Sequence, residues 1–455
     1  MNEASSPRIV IVGAGPAGIR AAATLVEAGL HPTVIDEGYR AGGQIYRRPP
    51  AGFVRTPKQL YGSEAAKARA LHALFDRLAK DGQLTHCAGS SVIAAHGGQL
   101  HVLGEGGVQV VGYERLILAT GASDRVAPIP GWQNAGVYSL GAAQIALKAQ
   151  GVALGRRIVL AGSGPLLTLV GAQLVEAGAD VAAVLDTSPW RQQVRGCSGL
   201  AARPVVALRG LALRARLGRR YHAGVTLERI EADQQGVAAL HWRDAGGRQQ
   251  LTSCDMIGMG WHLRAETHLA DLAGCAFTYD EQWRQWLPKT DEMGRAGDGV
   301  YLAGDGVRLL GADGAEITGR LAAAACLADF GYQAPSVSAD LRKLVRLERF
   351  ARGLARAFPW PAAMVRALPD EAIVCRCENV TAAAVREGTD FGGGEANRVK
   401  SLSRAGMGRC QGRYCQLAAV ELVAAQTGCM PEAVGRFRAQ APVRPAPIGA
   451  FLRED

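Results

Sequence analysis

Aromatic residues are scarce in this sequence: 9 Phe, 7 Trp and 10 Tyr stand against 58 Gly in 455 residues. The glycines follow no G-X-Y period, which excludes a collagen-like rod, and they imply many tight turns and close backbone approaches. Charged residues make up 20 % and apolar ones 48 %, a balance that argues for a globular chain and against intrinsic disorder. No leader segment is expected, because the polar residues 1–7 run straight into an apolar strand and a glycine motif. No membrane span is expected either. Residues 158–175 carry no charge over 18 positions, but Gly162-Ser163-Gly164-Pro165 divides them into a strand and a helix. No catalytic triad and no paired carboxylates can be assigned to substrate chemistry. No nucleic-acid-binding motif accompanies the net charge of +10, so phosphates, acidic protein faces or anionic lipid are the expected partners rather than nucleic acid. The chain is placed in the cytoplasm, with peripheral contact at the inner membrane left open.

The length suggests about three domains at ~150 residues each. Residues 8–36 read as strand, turn, helix and strand. The turn is Gly13-Ala14-Gly15-Pro16-Ala17-Gly18, a G-x-G-x-x-G pattern. Its first glycine makes the turn, its second lets backbone approach a pyrophosphate, and its third lets the helix pack on the strand. The helix N-terminus offers N–H groups and a positive dipole end to phosphate. Asp36 follows Gly13 by 23 residues and ends the second strand, where a carboxylate accepts hydrogen bonds from ribose hydroxyls. Glu37 stands beside it. A dinucleotide is therefore expected here.

The pattern returns about 150 residues later as a strand over 158–160, Gly162-Ser163-Gly164, a helix over 166–177 and a strand over 181–185 followed by Asp186. The third glycine position is Leu167, which would push helix from strand and crowd a pyrophosphate. NAD(P) binding is not expected at this second turn, and a packing or subunit-contact role is favoured. An amphipathic helix is read over 64–80, with Leu71, Leu74, Phe75 and Leu78 on one face. Two arginine-rich runs, 195–220 and 342–356, are read as solvated helix faces, with a subunit or membrane contact as the alternative.

Cysteines are distributed unevenly. Cys375 and Cys377 form a C-x-C pair, and Cys410 and Cys415 a C-x4-C pair 32 residues later. Two close pairs can supply four thiolates to an iron–sulfur cluster or to zinc, and free thiols are the third reading. Cys429, without a partner nearby, is expected in the core. No CxxC or CxxxxC occurs in the first 370 residues, so reduction of disulfides through a protein dithiol is not expected.

Beyond the glycine turn, Gly42-Gly43-Gln44, Leu118-Ala119-Thr120-Gly121 and Tyr301-Leu302-Ala303-Gly304-Asp305 form a set that resembles the FAD-binding domain of the pyridine nucleotide-disulfide oxidoreductase superfamily. The resemblance covers roughly residues 7–335. It implies FAD held by Gly13, Gly15, Pro16, Ala17, Gly18, Asp36, Glu37, Gly43, Gln44, Thr120, Gly121 and Gly304, with Asp305 at the ribityl–pyrophosphate region. Residues 371–430 resemble the [2Fe-2S] domain of bacterioferritin-associated ferredoxin, which implies a cluster on Cys375, Cys377, Cys410 and Cys415; the second pair departs from that family's usual C-x2-C. Helix N-termini together with Lys400, Arg404, Arg409 and Arg413 would offset its negative charge. As a whole the chain is similar to the α subunits of bacterial heteromeric flavin dehydrogenases, the group of opine oxidases, D-hydroxyproline dehydrogenases and hydrogen cyanide synthase. The resemblance implies that the partner is a D-amino-acid-oxidase-like FAD subunit. It leaves open FMN at a subunit interface and a small additional subunit.

The expected fold is α/β. Two Rossmann-like dinucleotide-binding domains, the second inserted in the first (7–125 and 290–335, around 126–289), precede a connector over 336–370. A small, mainly helical [2Fe-2S] domain follows over 371–455. The expected function is electron transfer from a partner dehydrogenase acting on CH-NH donors to an external acceptor. The alternative is a stand-alone NAD(P)H-dependent ferredoxin-type reductase.

Overall fold

The structure is a computed structural model and describes residues 7–50, 52, 53 and 55–451; residues 1–6, where a leader was judged absent, lie outside that range. Ile9–Val12 is a run of four buried apolar residues, the pattern of a parallel strand covered on both faces. It is central in a six-stranded sheet in the order Arg295–Gly297, Val300–Leu302, Arg115–Leu118, Ile9–Val12, Thr33–Ile35, Thr85–Cys87. All pairs are parallel except the one made by Arg295–Gly297 at the edge.

Helix Pro16–Glu27 starts with proline in its first turn and buries a run of alanines. Its start is three residues earlier than the apolar run suggests, because Pro16 lacks the N–H that a first turn leaves unpaired. Helix Gly311–Asp329 crosses it so closely that a Cβ on Gly319 would lie 2.1 Å from the Ala17 carbonyl oxygen. Helix Ala65–Lys80 covers the same face with Leu71, Phe75 and Leu78.

The chain leaves this unit through Ala122–Asp124 and returns through Leu263–Ala265. The two segments pair antiparallel, with Leu263 opposite Asp124 and Ala265 opposite Ala122. Between them lies a second, fully parallel sheet in the order Tyr221–Ala223, Asp180–Asp186, Arg157–Ser163, Met256–Trp261, Val137–Ser139. The return comes earlier than residue 290. Leu269, Ala270 and Cys275 already pack with Val10, Val12, Leu116 and Leu118 of the first unit. The linking strands are three residues long, too short to show a period in sequence. The uncharged stretch 158–175 does divide into strand Arg157–Ser163 and helix Pro165–Glu176. No helix among the described residues is long and apolar enough to cross a membrane.

Helix Ser338–Ala357 does more than connect. Gly353 meets Gly199 of the inserted unit, where a Cβ on Gly353 would fall 2.7 Å from the Leu200 nitrogen. Arg342, Lys343, Arg346, Arg349, Arg352 and Arg356 all lie on its solvent side. The hairpin Ile373–Cys375 and Val380–Thr381 and helices Ala382–Gly392, Ala396–Ser403 and Gln416–Thr427 then build the cysteine-bearing module. Its core is continuous with the inserted unit. Val374, Ala419 and Leu422 share one cluster with Trp132, Ile257 and Met259, and the Trp132 indole N–H donates to the Ile373 carbonyl at 2.6 Å. The tail returns to the first unit, where the Val443 N–H meets the Ile93 carbonyl at 2.8 Å and Arg444 pairs with Glu37 at 2.5 Å. Cys429 is exposed rather than in the core, because Gly428 takes a left-handed conformation at the helix end and turns the chain outward.

The crossing of the two helices generates a stability prediction. Gly319→Ala should destabilise by about 2–3 kcal/mol through overpacking, whereas Gly178→Ala, with open space around its Cβ but a positive φ, should cost about 1 kcal/mol through backbone strain alone. Urea unfolding of both variants checks the order, and equal midpoints would contradict it.

Candidate cofactor sites

The first glycine turn is shaped by three different needs. Gly13 has φ +106°, and a Cβ there would strike the Ala119 carbonyl oxygen at 2.4 Å. A Cβ on Gly18 would lie 1.8 Å from the Gly13 oxygen, so helix and strand can touch only without it. Gly15 has an ordinary backbone, φ −77° and ψ −175°, and its Cβ would meet nothing nearer than the Gly43 Cα at 3.7 Å. The protein itself does not require glycine at 15. The cradle in front of it fits a diphosphate at the helix N-terminus.

Asp36 ends the second strand as expected. One carboxylate oxygen accepts the Ala14 N–H at 2.5 Å and the other the Gly38 N–H at 2.7 Å. Burial raises its carboxyl above the usual range, and these two N–H groups oppose the rise. Asp36 therefore fixes the turn, with lone pairs left for a hydroxyl donor. Glu37 is exposed and held by Arg444. Gly42 donates to the Ala14 carbonyl at 2.8 Å, and a Cβ on Gly43 would lie 2.9 Å from the Gly15 Cα, so this loop closes over the turn. Gln44 points away, exposed and accepting from Arg47 at 2.9 Å. Thr120 and Gly121 lie at the strand end beside the turn. A Cβ on Gly304 would approach the Ala17 Cβ to 3.0 Å. Asp305 accepts the N–H groups of Leu310 and Gly311 at 2.8 and 2.9 Å, which caps helix Gly311–Asp329, and burial raises its carboxyl.

The second turn is built differently. Beside Gly164 stands His262, whose Cδ2 would sit in ordinary contact, 3.4 Å from a Cβ there. Burial, with Arg125 nearby, pushes the His262 imidazole down to about 3. Asp186 accepts from Ser163 at 2.8 Å, from the Ser188 N–H at 2.8 Å and from Tyr221 at 2.5 Å. Its carboxylate is engaged inside the protein. Leu167 is wholly buried with Leu140, Leu160 and Val170.

The four late cysteines are brought together as free thiols. Cys375 lies beside Cys415 and Cys377 beside Cys410, and the Cys415 thiol is pushed up by Cys375, by burial and by the other two. The Cys415 contact and the backbone N–H groups of Gly406, Glu378 and Cys377, working against burial, pull the Cys375 thiol down to about 6. Gly408 makes the meeting feasible, since a Cβ there would lie 2.4 Å from the Cys377 Cβ. Four convergent thiols with N–H donors on a sulfur fit a thiolate-held cluster or metal. No three His, Cys, Asp or Glu side chains among the described residues form a ready-made cation site. Of the expected basic residues, Arg413 and Lys400 are buried in this module. Arg404 instead pairs with Glu378 at 2.8 Å and Arg409 is exposed.

One residue ties the two regions and escaped the motif reading. Glu266 accepts the Thr120 hydroxyl on its carbonyl at 2.7 Å, and its N–H donates to the Gly121 carbonyl at 3.0 Å. Its side chain takes Arg413 of the cysteine loop at 2.6 and 3.1 Å, a buried bidentate pair. Arg413 also donates to the Cys410 and Val443 carbonyls, and buried Arg264 donates to the Arg413 carbonyl at 2.7 Å. The available signal was polar residues at every second position, His262, Arg264, Glu266 and His268, inside an apolar stretch.

Comparison with known proteins fits this architecture. Residues 7–325 match the pyridine nucleotide-disulphide oxidoreductase family and residues 370–452 the sarcosine oxidase A3 domain. An opine oxidase subunit of Rhizobium meliloti is 34 % identical over 98 % of this chain and 87 % of its own. Hydrogen cyanide synthase subunit HcnB of Pseudomonas protegens is 30 % identical over 98 % and 97 %. The fold of L-proline dehydrogenase from P. horikoshii superposes with a TM-score of 0.72 at 20 % identity, over 98 % of this chain and 80 % of that one.

The Glu266–Arg413 pair carries a pH signature. Burial alone would raise the Glu266 carboxyl, but His268 and Arg413 hold it well below the usual range. Its stabilisation is therefore present above the unfolded carboxylate value, about 4.3, and is lost as pH falls from there through the folded value. Glu266→Gln should cost about 3–5 kcal/mol at pH 7, because Arg413 is left buried without its charge partner. Urea midpoints measured from pH 7 downward should start to converge for variant and wild type below about pH 4 and meet only below the folded Glu266 value; a constant gap would refute the assignment.

Proposed function

The chain belongs to the pyridine nucleotide-disulphide oxidoreductase family and is a flavin-dependent oxidoreductase subunit of a heteromeric enzyme; we propose that it is the electron-relaying subunit, binding FAD at the first glycine turn and a [2Fe-2S] cluster on Cys375, Cys377, Cys410 and Cys415. Its electrons come from a D-amino-acid-oxidase-like partner that oxidises a CH-NH donor, and they leave to an external acceptor. When bound, flavin accepts electrons in pairs and releases them singly to a one-electron cluster.

The observation that supports this reading is the junction at Glu266. The same residue hydrogen-bonds the Thr120–Gly121 strand end, beside the Gly15 cradle, and the loop carrying Cys410 and Cys415. Within this reading Gly13, Gly15 and Gly18 shape the diphosphate cradle, and Pro16 and Ala17 begin the helix whose N-terminus faces it. Asp36 orients the turn and offers lone pairs to a ribose hydroxyl, and Gly43 closes over Gly15. Gly304 and Asp305 start the helix that flanks the first one. Gln44 and Glu37 have other partners and carry less of the assignment than the sequence pattern suggests. FMN at a subunit interface has no residue of this chain assigned to it. NAD(P) is not part of the proposal, because Asp186 is saturated and His262 stands beside Gly164.

Two measurements test the reading. In the purified complex, Gly15→Val should abolish FAD retention at this turn while iron content stays, and Cys410→Ser should lower iron content while FAD stays. Substrate should still reduce the partner's flavin in the cysteine variant, with delivery to an external acceptor falling at least about tenfold. Zinc in place of iron, or undiminished acceptor turnover, overturns the relay. Separately, NADH or NADPH should not bleach the flavin in a stopped-flow trace. Rapid bleaching would favour the autonomous reductase.

A further inference from the structure

Helix Pro204–Leu217 is apolar on two sides. One side seats Leu217 in the core of the inserted unit. The other carries Val205, Leu208 and Leu211, which are 62, 64 and 56 % exposed. A spacing of three places them in one stripe on the helix. A contiguous exposed apolar patch marks an interaction site. Gly210 sits between Leu208 and Leu211 with nothing within 4 Å of its would-be Cβ. Inside a helix glycine costs about 1 kcal/mol relative to alanine, and no contact within this chain calls for it. It is the position at which a second backbone can come closest.

The helix is also fixed in place. Arg203, just before it, pairs with Asp313 in the first turn of helix Gly311–Asp329. Arg209 pairs with Glu64 at 3.3 Å, and Glu64 accepts the Tyr46 hydroxyl at 3.4 Å. The stripe therefore stands over the edge of the first unit, next to the loop that closes on Gly15. Acidic Asp313, Glu64 and Glu176 meet Arg203, Arg209 and Arg216, and the charge left over past the helix end is basic. Arg219 and Arg220 are exposed and make no ion pair among the described residues, and Arg216 lies a loose 3.9 Å from Glu176.

We propose that the stripe Val205–Leu208–Leu211 on helix Pro204–Leu217 is the docking surface for the partner flavin subunit, which meets it with an apolar face rimmed by acidic residues. The inference rests on the subunit reading above. A second copy of this chain is disfavoured because it would bring two arginine rims together.

The test uses the full chain, tagged and purified with the flavin subunit that accompanies it, that subunit being identified by mass and then re-added in equal amount. Amides 205–217 should exchange at least about tenfold more slowly in the complex than in the free chain. Leu208→Glu with Leu211→Glu, both at exposed positions, should weaken association at least about thirtyfold while this chain's flavin content stays unchanged. Arg219→Glu with Arg220→Glu should slow association and flatten its salt dependence. Unchanged protection and affinity overturn the surface while leaving the subunit reading intact. A wild-type chain that binds no flavin subunit overturns the subunit reading itself. Loss of self-association, or loss of flotation with phosphatidylglycerol–phosphatidylethanolamine vesicles, as the only effect of the leucine variant would assign the stripe to a second copy or to lipid and overturn the proposal.

Discussion

A buried ion pair, together with the shared core and the returning tail, holds the three parts of this chain in register. Glu266 follows the return strand Leu263–Ala265 between the two glycine-turn units and Arg413 lies on the loop between two cysteines, and both side chains are under a tenth exposed. Ionic groups so buried are costly unless every lone pair and proton is matched. Here the match is nearly complete. Glu266 meets both arms of Arg413 and the His268 ring, and Arg413 spends its remaining donors on the Cys410 and Val443 carbonyls. Removing either charge strands the other, so the strand end at Thr120–Gly121, the cysteine loop and the tail are specified together.

Charge balance at this junction bears on the cysteines. Burial lowers the Arg264 guanidinium below its ordinary value, while Glu266, Cys410 and Cys415 oppose the shift. Arg264 and Arg413 together bring two positive charges to one carboxylate. The three neighbouring sulfurs, Cys375 foremost, and burial nevertheless push the Cys415 thiol well up, so the positive charge does not by itself make thiolates of the loop. Only at Cys375 do the Cys415 contact and the backbone N–H groups pull a thiol down.

How much of this was legible in the sequence depends on range. The Gly13–Gly18 turn, Asp36 and the paired cysteines are local patterns, and each stands in the described structure where its spacing put it. The alternating polar residues from 262 to 268 are also local, yet their partners lie in Cys410–Cys415 and Thr120–Gly121, almost 150 residues away in either direction. No periodicity reports such a pairing. A side chain near a motif in sequence takes whichever partner is closest, which for Gln44 is Arg47 and for Arg404 is Glu378. Cys429, without a partner nearby, reads as core in the sequence, whereas the left-handed Gly428 turns it outward.

The inserted unit shows why a nucleotide-binding pattern can persist with its ligand position engaged from within. Its strands supply Ile257 and Met259 to the same core that Val374, Ala419 and Leu422 of the cysteine module complete. Helix Ser338–Ala357 lies against its Gly199. Asp186 at the end of its second strand ties Ser163, Ser188 and Tyr221. The unit thus acts as the bed on which the cysteine module is laid, while the first unit reaches that module through the Glu266–Arg413 pair and the returning tail. A side chain that reopened Asp186 to solvent would loosen the bed before it restored a ribose acceptor, because three internal donors would lose their partner at once. The strand–turn–helix pattern thus occurs twice in one chain, and its second copy also serves as the platform for the cysteine module.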